Sequence, residues 1–485
     1  MLVEERSAAI PVPHASSGTA LLRARPVPGA VALVAVSVAL AALTLVLPSA
    51  PTYDPWAWIV WGREITHLDL QTTLGPSWKP LPVAFTTVFS LFGPVAPDLW
   101  LVVARAGAIA ALVLAFRVAR RLGGGVVGGV IAAAALVILP WWFRNAALGN
   151  SEGLIVAFLL AAIDRELAGR RRFAFAMAVC AALLRPEAWP FLALYGLFLM
   201  WRRELSPRLV IGAGIGVLAL WTLPEWWGSG DPLRAMHRAK DVNAGAPTYA
   251  DNPALETLRE ARAMLSTQLL VALGAAAAML VARRDRMIAV LAVMAVAWLA
   301  LVAYMTSDGF SGNQRYLIAP VVLTIVLAGA GGGWLAQRAA ELVLPHRVRT
   351  GAAATALAVV ASAAAAALFV SPSVDRFSLM MDNLQYQGDL LDELPGLVRD
   401  AGGAARLNAC GDPYTGPFLV PAVAWYLHRH TADVHLAPST PAVVFRVRTI
   451  PQSRPIPTLR DVGDTRSLAT GDNWRIVAAC RGSAG

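Results

Sequence analysis

Eleven apolar stretches separated by short polar connections leave this chain little choice of solvent. They fall near residues 31–49, 99–116, 124–141, 152–163, 173–184, 188–201, 209–225, 264–282, 287–304, 317–336 and 351–370. A hydrocarbon layer ~30 Å thick takes about 20 helical residues, so several runs are short. Arg185, Pro186 and Glu187 interrupt what is otherwise one run from 173 to 201, which crosses either once or twice. Charged residues make up 15% of the chain, against about 25% in soluble domains. The expectation is a polytopic α-helical membrane protein with about 11 transmembrane helices.

The connections carry an orientation signal. Arg117/Arg120/Arg121, Arg165 with Arg170/Arg171/Arg172, Arg202/Arg203/Arg208, Arg283/Arg284/Arg286 and Arg338/Arg347/Arg349 occupy alternate ones. If every run crosses, these clusters share a side with Arg23 and Arg25, and the positive-inside rule makes that side cytoplasmic. The net charge of +10 is thus spent on orientation in short clusters, and no nucleic-acid partner is implied. The expected plan is a cytoplasmic N-terminal tail at 1–29, a transmembrane domain at 30–370 and an extracytoplasmic domain at 371–485, in a multi-pass plasma-membrane protein. A signal peptide cut after Ala50 competes with a retained first helix. Pro51 after the cut and the length of the apolar run favour the helix.

The tail from 371 reads as a small α/β domain. It has β-type runs ARLNAC, AVVFRV and WRIVAAC and a helical stretch VPAVAWYLHRH. Of the three cysteines, Cys410 and Cys480 each end such a run, so they are either a disulfide or two buried thiols. GGGVVGG, at 123–129, sits in an apolar run and fits close helix packing. Neither GxxxxGK[ST] nor a strand-borne GxGxxG is present, so no nucleotide site is expected.

Ionisable residues at membrane depth are costly and point to function. Here they gather on the outer side: Asp54, Glu64, Asp69 and Lys79, then Arg144 and Glu152, then Arg185 and Glu187. Asp231, Arg234, His237, Arg238 and Lys240 follow, and finally Asp308 and Arg315. A general base beside an anion pocket needs this mixture, a carboxylate to take a proton and cations to hold a phosphate. Each residue also has a plainer reading. Asp54, before Pro55, is placed to cap a helix; Arg185 and Glu187 suit a structural ion pair. The 234–240 group either meets anionic headgroups or shapes an acceptor entrance. Trp56, Trp58 and Trp61 fit an interfacial helix, as an aromatic belt or a platform for sugar rings.

Four pieces together resemble the GT-C glycosyltransferase superfamily. They are Asp54 just past the first helix, WKPLP around Lys79, RPE at 185–187, and NQRYLIAP from Asn313. The nearest kin are protein O-mannosyltransferases, aminoarabinose transferases and mycobacterial arabinofuranosyl- and mannosyltransferases, and the resemblance covers roughly residues 30–335. It implies transfer of a sugar from a polyprenyl-phosphate-linked donor to a glycan, lipid or protein acceptor at the outer face, with inversion. Asp54 takes the place of the catalytic base, and Lys79 and Arg315 those of groups contacting the donor phosphate. Glu152, in GNSEGL, stands where a second acid is often found, and Glu64, Arg144, Arg185 and Glu187 are further pocket candidates. Many members carry paired acids after the first helix, whereas Asp54 is followed by Pro55 and Trp56. A divalent cation is therefore left open, and no other cofactor is implied. Two other classes stay in view. A lipid-linked-sugar or anionic-substrate transporter would use the same cations but would carry paired broken segments. A non-catalytic scaffold would leave the acid and cations without a purpose.

Overall fold

An apolar run inside a bilayer must satisfy its backbone internally, and helices do so segment by segment. The computed structural model describes residues 28–139, 142–343, 351–370, 374–460 and 462–480. Nearly all of the N-terminal tail, with Arg23 and Arg25, and also Arg347 and Arg349, lies outside the described residues.

Helix α1 (Pro28–Leu43) leads to α2 (Tyr53–Thr66) and then, past a loop, to α3 (Pro80–Ser90). α4 (Ala96–Ala119) and α5 (Gly125–Val137) belong to one 45-residue apolar stretch broken at Gly123, where φ is +102°. A short α6 (Trp142–Ala147) precedes α7 (Glu152–Leu167) and α8 (Arg171–Ala182). There follow α9 (Trp189–Trp201), α10 (Pro207–Ser229), α11 (Arg234–Lys240), α12 (Pro253–Ala263) and α13 (Thr267–Arg283). α14 (Arg286–Ser307), α15 (Gln314–Val343) and α16 (Gly351–Val370) end the apolar part. Polar caps set several starts: Ser206, Ser266 and Asp285 accept backbone N–H bonds at the heads of α10, α13 and α14.

By length and composition, five stretches among the described residues are able to cross a membrane, or six if α12 and α13, bent by 98° at their joint, count as one. The 173–201 run is two helices, α8 and α9, meeting at Arg185–Pro186. The starts of α7, α9 and α15 and the ends of α8, α10 and α14 lie at one end of the bundle. Most of the arginine clusters lie at the other, where buried Asp164 is held by Arg117, Arg121 and Arg165.

The glycine-rich stretch serves packing. A Cβ on Gly333 of α15 would lie 2.0 Å from the Gly124 carbonyl oxygen, and one on Gly331 would lie 2.2 Å from the Ala276 nitrogen of α13. Helix backbones thus touch directly, gaining dispersion contact where lipid supplies no hydrophobic drive.

Past α16 the chain runs through α17 (Val374–Asp400) and α18 (Gly403–Cys410) to β1 (Asp412–Tyr414), α19 (Val420–Leu427), β2 (Ala442–Val447), β3 (Arg466–Thr470) and β4 (Trp474–Ala479). The sheet order is β1-β2-β4-β3, with β1 parallel to β2 and the other pairs antiparallel. The runs AVVFRV and WRIVAA are strands. ARLNAC, expected as a strand, is instead helical, because Ala, Arg and Leu favour helix and the Gly402–Gly403 pair sets it off from α17. Cys410 and Cys480 are joined by a disulfide that ties the end of α18 to the chain just past β4.

The interfacial-belt reading of the tryptophans is corrected here. Trp56, Trp58 and Trp61 are at most 3% exposed, packed among Tyr426, Trp100 and Trp78. α2 is a core helix clamped from the C-terminal side. Arg63 donates to the carbonyls of Trp425 and Arg429 and stacks over the Trp425 ring. Glu64 Oε1 meets His430 Nδ1 at 2.9 Å, and His430 Nε2 lies 3.2 Å from Asp69. Burial pushes the Glu64 carboxyl up to about 7, against the Gln71 N–H and His430.

A packing test follows from the helix contacts. Gly333→Val is expected to lower the thermal unfolding midpoint in detergent, since over-packing a close contact costs ~1–3 kcal/mol or more. Gly212→Ala on α10, whose Cβ meets nothing within 4 Å, is expected to be neutral or slightly stabilising.

Candidate active site

Two local rules place the cations. A residue before proline is pushed out of helical geometry into extended backbone. Lys79 precedes Pro80 and Arg185 precedes Pro186, with φ of −138° and −146°. Each therefore stands at the head of a helix, clear of its barrel. Arg315 sits in the first turn of α15, where the Asn313 side chain accepts its backbone N–H.

The carboxylates come from two other helix starts. The Thr52 N–H bonds the Leu148 carbonyl and its hydroxyl the Asn150 side chain, which locks the start of α2 to that of α7. Asp54 lies in the first turn of α2 and Glu152 in the first turn of α7. Asp54 does not cap its helix: its Oδ2 accepts from Arg315 at 3.0 Å.

These groups form one network. Glu152 Oε1 accepts from Arg315 at 2.7 Å and from Arg185 at 3.1 Å. Arg185 also donates to the Arg315 carbonyl, lies over the Tyr316 ring and stands 3.8 Å from Glu187. Lys79 Nζ donates to Ser151 Oγ at 2.9 Å and sits 5.0 Å above the Trp58 ring. Its burial, with Arg185 and Arg315 nearby, pushes the ammonium down to about 7 despite Glu152 and Asp54. Lys79 lies in the loop before α3, outside the membrane-spanning segments.

Asp54, Lys79, Arg185 and Arg315 line a cavity of about 210 Å³ together with Tyr53, Arg238, Asp241, Asn243 and Ser311. Glu152 lies behind it, 1% exposed. The loop carrying Lys79 is pinned by Arg234, which donates to the carbonyls of Gly75 and Pro76 and pairs with fully buried Glu225. A second, apolar cavity of about 620 Å³ lies between α7, α8, α9 and α14, lined by Leu159, Ala178, Phe191, Met294 and Trp298. It reaches Ala188, three residues past Arg185.

Five sequence candidates therefore share the network: Asp54, Lys79, Glu152, Arg185 and Arg315. Glu187 is buried beside it, with neither carboxylate oxygen accepting a hydrogen bond among the described residues. Glu64 is not in this cavity but at the contact with the α19 region, since it stands near the end of α2 whereas Asp54 is in its first turn. Arg144 is exposed on α6 and does not line the cavity. The 231–240 group divides: Arg234 is a buried pin, Arg238 faces the cavity, and His237 pairs with Asp231. Ser151, Tyr53 and Ser311 were not singled out by sequence, because neutral hydroxyl groups carry no signal without the fold. Among the described residues no three of His, Cys, Asp and Glu come together, and Asp54 and Glu152 face guanidinium groups. This donor set does not fit a divalent cation.

No protein-family model and no curated protein matches the chain. Solved structures do. ArnT from Cupriavidus metallidurans bound to undecaprenyl phosphate aligns with a TM-score of 0.50 and 16% identity, over 94% of this chain and 99% of that one. Its apo state gives 0.51 and 18%, over 93% and 98%. The apo oligosaccharyltransferase of Archaeoglobus fulgidus aligns more loosely, with a TM-score of 0.44 and 12% identity over 84% of this chain and 64% of that one. The fold is that of ArnT, with several helices long and apolar enough to cross a membrane.

The network separates two carboxylates by burial. Glu152→Gln takes the shared charged partner from buried Arg185 and half-buried Arg315, and breaking a buried pair costs ~3–5 kcal/mol. It is expected to lower the unfolding midpoint by several degrees in a detergent melt. Asp54, whose side chain is 22% exposed, is expected to tolerate Asn with a much smaller loss.

Proposed function

We propose that this protein is a membrane glycosyltransferase that moves a sugar from a polyprenyl-phosphate-linked donor to an envelope acceptor at the extracytoplasmic face. The observation that carries the reading is the meeting of Asp54, Lys79, Arg185 and Arg315 around one small cavity, beside an apolar cavity between helices. Three cations suit a phosphate, and the apolar space suits the lipid attached to it. ArnT, whose fold this chain shares, has been solved bound to undecaprenyl phosphate.

In this mechanism the donor phosphate takes its place between Lys79 and Arg315. It competes with Asp54 for the Arg315 guanidinium and so frees the carboxylate. Asp54 then takes the proton of an acceptor hydroxyl. The acceptor oxygen bonds to the anomeric carbon as the bond from that carbon to the phosphate oxygen breaks. Polyprenyl phosphate leaves with the electron pair, and the anomeric centre inverts. The negative charge growing on the leaving phosphate is met by fixed cations in a partly dry site, where preorganised charge counts most. The arginine clusters at the far end of the helices support a cytoplasmic placement for that end and an outer placement for the cavity.

Radiolabelled polyprenyl-phosphate sugars, incubated with the purified protein in lipid, test this. Asp54→Asn is expected to bind donor but to slow transfer by ~10²–10⁴-fold, the usual contribution of a positioned base. Equal transfer by both proteins would remove Asp54 from the mechanism. No transfer from any donor, with movement of lipid-linked sugar across vesicles, would establish a transporter instead.

A pH dependence follows as well. Lys79 is an ammonium below about 7 and an amine above it, while the donor's phosphodiester keeps its single charge. Donor affinity is therefore expected to weaken as pH is raised above about 7. Titration of donor binding from acid to alkaline pH reads this directly, and Lys79→Arg is expected to flatten the curve.

A further inference from the structure

The join between α2 and the C-terminal part has a proton count of its own. Both ring nitrogens of His430 face carboxylates: Nδ1 lies 2.9 Å from Glu64 Oε1, and Nε2 lies 3.2 Å from Asp69 Oδ2. A neutral imidazole carries one N–H, so two such hydrogen bonds need one more proton, on the ring or on a carboxyl. Glu64 is 3% exposed and its other oxygen accepts the Gln71 N–H at 3.0 Å, whereas Asp69 is largely in water. Arg63, Arg429, Asp433 and His67 stand around this bridge, each with another partner. Arg63 donates to the carbonyls of Trp425 and Arg429, Arg429 to the Asn408 side chain, and Asp433 accepts the backbone N–H of His430. His67 turns to the Arg63 carbonyl. Burial, with Arg63 and His67 nearby, pushes the His428 imidazole down.

We infer that His430 is a positioning residue for sugar transfer: its bridge from Glu64 to Asp69 fixes α2, and so Asp54, against the C-terminal part, and the bridge loosens when the shared proton is lost. This rests on the role proposed for Asp54, which lies at the other end of α2, ~15 Å away along the helix. Loss of the proton leaves a ring lone pair facing a carboxylate, with Glu64 a buried anion beside a neutral imidazole. Asp69 then turns to water at little cost, and the bridge shrinks to one contact. Because burial holds the Glu64 carboxyl up at about 7, the bridge is complete below that pH and weakens as pH rises through it. The Lys79 loop has a separate pin in Arg234, on the carbonyls of Gly75 and Pro76, so the loosening falls on α2. Its effect is on the rate at saturating donor, whereas titration of Lys79 acts on donor affinity.

The full-length protein in nanodiscs tests the inference, with wild type and Glu64→Gln compared at the same pH on either side of about 7. The readouts are hydrogen exchange around Glu64 and His430, and the transfer rate from radiolabelled polyprenyl-phosphate sugars at saturating donor. A glutamine keeps the contacts without the titration, its amide oxygen taking the Gln71 N–H and its NH₂ group facing His430 Nδ1. The two proteins are expected to match below that pH. Above it, wild type is expected to lose protection at the join and to transfer several-fold more slowly than Glu64→Gln, while both show the same weakening of donor affinity. His430→Ala is expected to lower the saturated rate several-fold at every pH with donor KM little changed. His430→Arg, a permanent cation between the two carboxylates, is expected to restore the rate and flatten its pH profile. Identical rate and exchange profiles in wild type and Glu64→Gln would overturn the inference while leaving the proposed function intact, and so would a full saturated rate in His430→Ala. Absence of transfer from any donor by wild type would bring down the proposed function and the positioning role together.

Discussion

A single buried carboxylate organises one end of this molecule. Glu152 holds Arg315 at 2.7 Å and Arg185 at 3.1 Å, joining the heads of α7, α9 and α15, which are far apart in the chain. A lone buried carboxylate or guanidinium would be prohibitively costly, so each fixes the position of the others. Lys79, Arg185 and Arg315 line the cavity while Glu152 lies behind them, so an entering anion meets the cations and not the buried acid that holds two of them.

The cations reach this network by proline geometry. Lys-Pro at 79–80 and Arg-Pro at 185–186 both force extended backbone immediately before a helix. The helix is thereby prevented from starting one residue early, which would carry the charged side chain around the barrel and away from the site. The Lys79 loop is then held by Arg234 on Glu225, so a second buried ion pair stands behind the first. The C-terminal part enters the same construction through α2. Arg63 and Glu64 are gripped by the α19 region, and the helix so gripped carries Asp54 in its first turn.

Much of this could be read from the sequence, and the rest could not for identifiable reasons. Apolar runs announce helices whatever their partners, and Asp54, Lys79, Glu152, Arg185 and Arg315 stood out because charge at membrane depth is expensive. The burial of Trp56, Trp58 and Trp61 did not show, because a tryptophan suits both an interface and a core, and only the partners Tyr426, Trp100 and Trp78 decide. Glu64 resembled a pocket acid for a related reason. Its place on the helix that carries Asp54 says nothing about what it touches, and its partner His430 is 366 residues away. Seryl and asparaginyl groups such as Ser151, Asn243 and Ser311 are common in every loop, so only convergence identifies them.

Burial divides the labour between the two acids of the network. Glu152 is 1% exposed and shared by two guanidinium groups, a position from which it can neither reach an acceptor nor change charge without unbalancing its partners. Asp54 is 22% exposed, bonded to Arg315 alone, and opens on the cavity. A proton acceptor must be able to give up its resting partner when substrate arrives, and of the two acids bonded to Arg315 it is Asp54 that lines the cavity. In the proposed mechanism the exchange of that one guanidinium between carboxylate and phosphate links arrival of the phosphate to release of the base.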